Sequence, residues 1–405
     1  MRALLLAAAM WSLSVVAIAQ AGDGWRVHKL STDDIDYEQV VVGDLNRDGL
    51  PDIATVGVRR NEQGVVQVFQ HPGKAVAKNA WKRFLDQDVP QPHDVALLDF
   101  DGNGWLDVVT SHRDESGPLR WHRLVPNPQN QGRDLAWSTD AVGPEHNVPL
   151  GARLAVAQID GVRGGELVCA GQGNDTTIGW LKRQNVGGAQ FYIEGFRPIA
   201  SIATASAMVI QDVDRDRLAD LVFIHPGPKI RGIHWLANPG AHNAALPESW
   251  GHAMIGDEDD SVAGLAFGYL GNDQLLDVAT ATRSGFIRLL THDSRRPLTW
   301  KSSVIPSPYN AKEGTCIAIA DLNGDGLVDL IHGGLHRFGE GTLVCFRQQL
   351  EGDAIRWVVD PLAVLPRGTF EKVVPYDLDQ DGDLDLLILQ RDDGIGRLVW
   401  YENPS

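Results

Sequence analysis

The sequence predicts an all-β fold, a seven-bladed β-propeller of four-stranded blades. Three observations predict it. An acidic decapeptide recurs along the whole chain, its copies stand roughly 55 residues apart, and each interval carries signals for four short strands.

The acidic segments read DLNRDGLPDI from Asp44, DFDGNGWLDV from Asp99, DLNGDGLVDL from Asp321 and DLDQDGDLDL from Asp377, with further copies beginning at Gln158, Asp212 and Tyr269. Seven such units account for essentially all of residues 22–405. A β-rich run precedes each turn (QVVVGD, DVALLD, CIAIAD, KVVPYD) and a second follows it at once (DIATVG, DVVTSH, DLIHGG, DLLILQ). A third run often ends in an aromatic residue and Asn-Pro, as in IHWLANPG and LVWYENPS. A fourth begins near Trp81, Trp137, Trp250, Trp300 or Trp357, with Phe191 in that place once. The segment LVWYENPS is a third strand without a fourth, and GWRVHKL is a fourth strand without a blade. Residues Trp25 to Leu30 are therefore expected to complete the last blade and close the ring, leaving no orphan edge. An open solenoid is the alternative, and the complementary ends count against it.

Residues 1–21 combine Arg2, an apolar run and an Ala19-Gln20-Ala21 cleavage site, which reads as a signal peptide. The apolar run is short for a membrane span, and no later one is long enough. The mature chain, residues 22–405, is thus expected to be a soluble monomer, secreted or periplasmic. Its three cysteines, Cys169, Cys316 and Cys345, lie in apolar strand-like runs and read as buried thiols rather than a disulfide framework. The net charge of −17 and the lack of any Lys/Arg run exclude a nucleic-acid partner.

The acidic turns offer oxygen ligands at fixed spacing. Positions one, three, five and nine are Asp44, Asn46, Asp48 and Asp52; Asp99, Asp101, Asn103 and Asp107; Asp212, Asp214, Asp216 and Asp220. The same positions hold Asp321, Asn323, Asp325 and Asp329, then Asp377, Asp379, Asp381 and Asp385. Position seven adds a backbone carbonyl, from Leu50, Trp105, Leu218, Leu327 or Asp383. Alternating oxygens over a tight turn suit a hard cation, and the glycine at position six, Gly326 for example, supplies the left-handed backbone such a turn needs. An EF-hand is rejected, because it demands a Glu at position twelve where this chain has Thr55, Thr110, His332 and Ile388, and because strands flank the turns. Five turns hold seventeen carboxylates, so about five Ca²⁺ sites are expected. Arg217 replaces the usual glycine in copy four. Copy three keeps Asp160 and Glu166 but has Val162, and copy five keeps only Asp273 and Asp277, so both are expected to be empty. The metal-free alternative is an acidic Asx-turn hairpin.

These D-x-[DN]-x-[DN]-G-x-x-D turns, in units of about 55 residues across 24–405, resemble the FG-GAP/VCBS repeat family, which includes the propeller of integrin α-subunits. The resemblance implies calcium between strands one and two of a blade, on the lower face, with ligands meeting the opposite face. Copies three and five depart from the pattern. The family spans adhesion, glycan binding and some polysaccharide lyases, so it does not fix the function.

On that opposite face, strand two ends in Arg59, His112-Arg113, His225, Arg283, His336-Arg337 and Arg391. Such a ring would form a site for carboxylate or sulfate groups; solvent-facing loops also attract arginine for no such purpose. Loops entering strand one add Glu38, His93, His146, Glu313 and Glu371. The leading reading is a binding module for an extracellular acidic glycan or protein. The alternative is a polysaccharide lyase or related sugar enzyme, with His93 or His146 as base, Tyr309 as acid and Arg holding a uronate. A purely protein-binding scaffold is the third reading. No H-E-x-x-H, G-x-S-x-G or P-loop motif is present.

Overall fold

The computed structural model describes residues 24–404 except 32–34, 115–116, 127–134, 143–145, 163, 172–176, 186–190, 202–203, 229, 271–274, 296–297, 308, 310 and 353. Residues 1–21, expected from the sequence to be a signal peptide, lie outside the described residues.

Strand β1 (Arg26–Lys29) is followed by β2 (Ile35–Gly43), β3 (Asp52–Arg59), β4 (Gly64–Gln70) and β5 (Lys82–Asp88), and these last four form blade one. Blade two is β6 (Pro92–Leu98), β7 (Asp107–His112), β8 (Leu119–Pro126) and β9 (Leu135–Val142). Blade three is β10 (Arg153–Ala157), β11 (Glu166–Ala170), β12 (Thr177–Asn185) and β13 (Phe191–Ser201). Blade four is β14 (Ala207–Gln211), β15 (Asp220–His225), β16 (Gly232–Ala237) and β17 (Gly251–Gly256). Blade five is β18 (Val262–Gly268), β19 (Asp277–Thr282), β20 (Ile287–Arg295) and β21 (Leu298–Ile305). Blade six is β22 (Glu313–Ala320), β23 (Asp329–Leu335), β24 (Gly341–Glu351) and β25 (Ala354–Leu365). Blade seven is β26 (Gly368–Tyr376), β27 (Asp385–Asp392) and β28 (Ile395–Glu402), completed by β1 on the outside of β28. The predicted seven blades and the closing strand are therefore present, and all pairings within blades are antiparallel.

The core is divided among the gaps between blades. Strand two of each blade is buried on both faces, so it reads as a continuous apolar run while its alternate residues serve different neighbours. In β27, Leu386 and Ile388 pack with Leu343 and Cys345 of blade six. Leu387 and Leu389 point the other way, to Ile53, Val65 and Phe69 of blade one. Seven such layers, one per gap, hold the described ring together. Each fully buried Leu or Ile contributes about 1.5–3 kcal/mol. Trp81 and Trp250, 5% and 6% exposed, cap the starts of β5 and β17, and their Nε1–H groups donate to the carbonyls of Ala77 and Ala244. Cys169, Cys316 and Cys345 are free and buried.

The seam is short. Strand β1 pairs through Arg26↔Glu402, Val27↔Tyr401, His28↔Trp400 and Lys29↔Val399. The His28 ring stacks on Trp400 with centroids 4.4 Å apart. Glu402 accepts from His28 Nε2 at 2.7 Å and from Lys78 Nζ, whose ammonium also meets Asp379 Oδ2 at 3.2 Å. Burial alone would raise the Glu402 carboxyl, but Lys78 and His28 hold it below its ordinary value. A lowered carboxyl stabilises the fold above its unfolded pKa and loses that contribution as pH falls through its folded pKa. Glu402→Gln should therefore destabilise the protein by about 1–2 kcal/mol at pH 7, with the gap in thermal melts full above pH 4.5 and narrowing only as pH falls below it. A gap that did not narrow on acidification would remove the charge from the account.

Candidate functional site

Each acidic turn joins strand one to strand two on the same face of the ring. The carboxylate at position one gathers the backbone N–H groups of positions five and six. Asp321 accepts from Asp325 at 3.2 Å and Gly326 at 2.8 Å, and Asp44, Asp212 and Asp377 repeat the pattern. Position three accepts from the N–H of position five, at 2.9 Å for Asn46 and 3.2 Å for Asp214. Position six must adopt left-handed backbone. Gly326 does so at φ 86°, and Arg217 does so at φ 74° despite its side chain, which keeps the turn of copy four intact at a local steric cost. Side chains at position four also link neighbouring turns: Arg47 stacks over Trp105 at 4.9 Å and Arg215 over Tyr269 at 5.4 Å.

Position nine has a role the ligand spacing did not reveal. Each acid there accepts with one oxygen from the N–H of position two, and in copies one, two, four, five, six and seven the other oxygen accepts from the end of strand three. Asp52 takes Leu45 at 3.1 Å and His71 at 2.9 Å; Asp107 takes Phe100 at 3.2 Å and Leu124 at 2.9 Å. Asp220, Asp277, Asp329 and Asp385 do the same. In copy three Glu166 makes the position-two bond, to Ile159 at 2.7 Å. Copies three and five retain this carboxylate although they lack the full ligand set, so it is part of the blade whether or not a cation is present. Burial pushes Asp52, Asp220 and Asp329 up to about 6 and Asp107 and Asp385 up to about 7, against the lowering effect of the N–H bonds.

The donor set fits a hard cation in three turns. Asp99, Asp101 and Asp107 bring one oxygen each within 4.8 Å of one another, as do Asp212, Asp214 and Asp220, and Asp377, Asp379 and Asp385. Asp379 Oδ1 is buried and has no hydrogen-bond partner among the described residues. In copy four, burial first and then the charges of Asp216 and Asp212 raise the Asp214 carboxyl, a crowding that a cation would relieve. Protein cations already stand at the other two turns, with Arg123 Nη2 2.7 Å from Asp101 Oδ2 and Lys78 at Asp379. In copies one and six position three is Asn46 or Asn323, whose amide donates to position five at 3.0 Å and 2.9 Å. Copy three is built differently. The Gln158 Nε2 group donates to the carbonyls of Val162 at 2.6 Å and Gly164 at 2.9 Å, filling the turn with an amide. Asp273 of copy five lies outside the described residues.

On the opposite face, β-bulges re-aim the first residues of strand one. Register shifts fall at Glu38 in β2, His93 in β6 and Glu371 in β26, at the same point of three consecutive blades, and at Ala263 and Thr315 in β18 and β22. His93 Nδ1 lies 3.7 Å from Glu38 Oε2 and 3.0 Å from Arg113 Nη2, and its buried Nε2 has no partner among the described residues. His93 and then Arg113 hold the Glu38 carboxyl below its ordinary value. Arg391 pairs with Asp36 and, at 3.3 Å, with Glu371. The next residue along strand one is Gln39, Asp94, Arg153 or Lys372 in these and the adjoining blade. Lys372 Nζ donates to Gln39 Oε1 and to Val40 O at 3.1 Å, and Asp94 Oδ2 accepts from Leu154 N–H at 3.1 Å, with Arg153 Nη1 3.7 Å away. Sequence reading missed these four, although each is polar at one repeat position in four adjacent copies.

The other predicted ligand-face residues are spread more widely. Arg59 pairs with Asp86 and Asp88 of its own blade, and Arg283 lies 3.6 Å from Glu313. His225 is 2% exposed and its Nδ1 accepts from Gly227 N–H at 3.0 Å, which places it in the blade rather than at the mouth. His112 is fully buried in a chain of hydrogen bonds through Thr110, His122 and Thr139. His146 is half-buried in the loop entering blade three. Tyr309 and His336 meet elsewhere, lining a cleft of 190 Å³ on blade six, and Arg337 is exposed beside it. His93 and Tyr309 therefore belong to different parts of the face.

A family model described as an FG-GAP-like repeat matches residues 44–110, from the first acidic turn through β7. No curated protein matches the chain. Among solved structures, the chain is similar to Sqt1 of Chaetomium thermophilum bound to the N-terminus of the ribosomal protein L10, at 10% identity and a TM-score of 0.54, covering 92% of this chain and 98% of that one. It is also similar to YCF48 from Cyanidioschyzon merolae, at 13% identity and a TM-score of 0.50, over 94% and 99% of the two chains. At these identities the likeness concerns the fold.

A carboxyl raised above its unfolded pKa stabilises most in acid and loses that contribution as pH rises through its folded pKa. Asp107 and Asp385, at about 7, titrate while the unfolded chain is already ionised. In chelator, the melting temperature should therefore fall between pH 6.5 and pH 8, and Asp107→Asn should flatten that slope while lowering stability overall. A slope identical in wild type and variant would contradict the assignment.

Proposed function

We propose that this FG-GAP repeat propeller is an exported binding module, stapled by calcium on one face and meeting an acidic extracellular glycan on the other. The observation that carries the reading is the arc of Glu38, His93 and Glu371, set at equivalent bulges in blades seven, one and two beside Arg113, Arg153 and Arg391. Bulges re-aim side chains at binding sites. Carboxylate or sulfate oxygens on a ligand would compete with the acids of this network for its guanidinium groups and would supply the acceptor that His93 Nε2 lacks. The use of a propeller by Sqt1 to bind a protein segment supports the wider class, a binding module, and keeps a protein partner as the other occupant of the same face.

Calcium would be held by the oxygens of positions one, three and nine in copies two, four and seven, and by Asp44, Asn46, Asp52 and Asp321, Asn323, Asp329 in copies one and six. When bound it neutralises the carboxylates and ties strand one to strand two. A lyase is the second reading, in which Arg113 would hold a uronate carboxylate beside His93. Tyr309 is not close enough in the fold to be its acid partner by any contact observed among the described residues.

Two measurements test these readings. Calcium-loaded protein applied to immobilised uronate-containing and sulfated polysaccharides should be retained, and Arg113→Ala or Arg391→Ala should weaken retention by roughly tenfold. Growth of ultraviolet absorbance from unsaturated product, lost in His93→Ala, would make the protein a lyase instead, and no retention would leave a protein partner. Separately, chelation should lower the melting temperature and calcium restore it, with the calcium-dependent part reduced in Asp214→Ala but unchanged in Asp160→Ala. A melt indifferent to calcium would remove the staple.

A further inference from the structure

The face opposite the acidic turns has a second feature, on blade six. Phe338 is 92% exposed, the most exposed large apolar side chain among the described residues. It stands at the tip of the β23–β24 hairpin, where His336 N–H donates to Glu340 O at 2.8 Å and Gly339 N–H to His336 O at 3.1 Å. Gly339, at φ 78°, closes the turn, and Gly368 N–H fixes it from the next blade by donating to Gly339 O at 2.8 Å. So tight a turn holds the ring away from its own blade. The residues on either side of it, His336 and Glu340, instead line the 190 Å³ cleft, whose apolar walls include Leu343, Val344, Pro361 and Ala363. An apolar cavity of about 150 Å³ holds a benzene molecule, so this cleft has room for one phenyl ring.

We propose that blade six docks on blade six of a second copy of this chain about a two-fold axis, each Phe338 entering the cleft of the other subunit. The knob and the hole lie on one loop, which is the arrangement a self-complementary, isologous contact requires. The charges agree. Arg337 and Glu340 flank the ring with opposite signs, and neither is ion-paired among the described residues. A two-fold axis through the loop sets each Arg337 against Glu340 of the partner subunit. Tyr309, 56% exposed, lines the same cleft and adds to its rim. A foreign partner would need only the knob or only the hole; a second copy uses both. The proposal replaces the monomer expected from the sequence and stands apart from glycan binding.

Sedimentation velocity on the full mature chain across a wide concentration range tests it. A reversible dimer is expected, weakened at least about tenfold by Phe338→Ser with the melting temperature unchanged. Arg337→Glu and Glu340→Arg should each weaken it as well, and the double variant should restore it, because the swapped charges again meet across the axis. A wild-type monomer throughout the range, a dimer indifferent to Phe338→Ser, or a double variant no tighter than either single one would each overturn the proposal.

Discussion

The buried carboxylate at position nine is the interaction on which the rest of each blade depends. It sits at the first residue of strand two, it accepts from the turn behind it, and in six blades it also accepts from the end of strand three. One side chain thus fixes the spacing of three strands before any packing is counted. Backbone N–H groups left unpaired at such a buried junction would cost about 1–3 kcal/mol each. Because the acid serves the backbone, it is present even where the turn lacks the full set of oxygens, as at Glu166 and Asp277.

That dual use explains how far the chain could be read. The repeat, the four-strand units and the joining of the seam were legible, because period and alternation follow from strand geometry that local sequence already contains. The acidic turns were legible as turns and as oxygen clusters. Their division of labour was not. An Asp at position nine looks like a further ligand when only spacing is visible, and its partners, such as His71 and Gln348, come from the far end of the hairpin. Likewise Val162 read as a missing ligand, whereas the amide of Gln158 fills that turn. On the other face, the basic residues at the ends of strand two were legible one by one, but their acid partners lie on separate strands: Asp86 for Arg59, Asp36 for Arg391. Pairing between strands of that kind leaves no mark in the local sequence.

The upper face is consequently two surfaces rather than one. Over blades seven, one, two and three it is a network of opposed charges, with Lys372 and Gln39 bridging one blade boundary and Asp94 reaching Leu154 across another. Over blades five and six the same level holds Gly264 and Cys316, and the loops above present aromatic rings. Seven near-equivalent units have diverged by arc, so a ligand contacting the mouth would meet charge on one side and apolar surface on the other.

The seam has a temporal meaning. His28 and Glu402, whose side chains meet at the closure, are 374 residues apart in the chain. The first strand of the ring is synthesised before any blade exists, and its partner strand emerges after the other six blades. Such a contact carries the largest loop-closure entropy available to the molecule, and non-local pairing of this kind is slow. Blades can form one by one as their hairpins become complete, but the layer between blades seven and one stays open until the end. Assembly of this ring is therefore finished by one late event, in which a four-residue strand that has waited unpaired throughout finds the last edge left exposed.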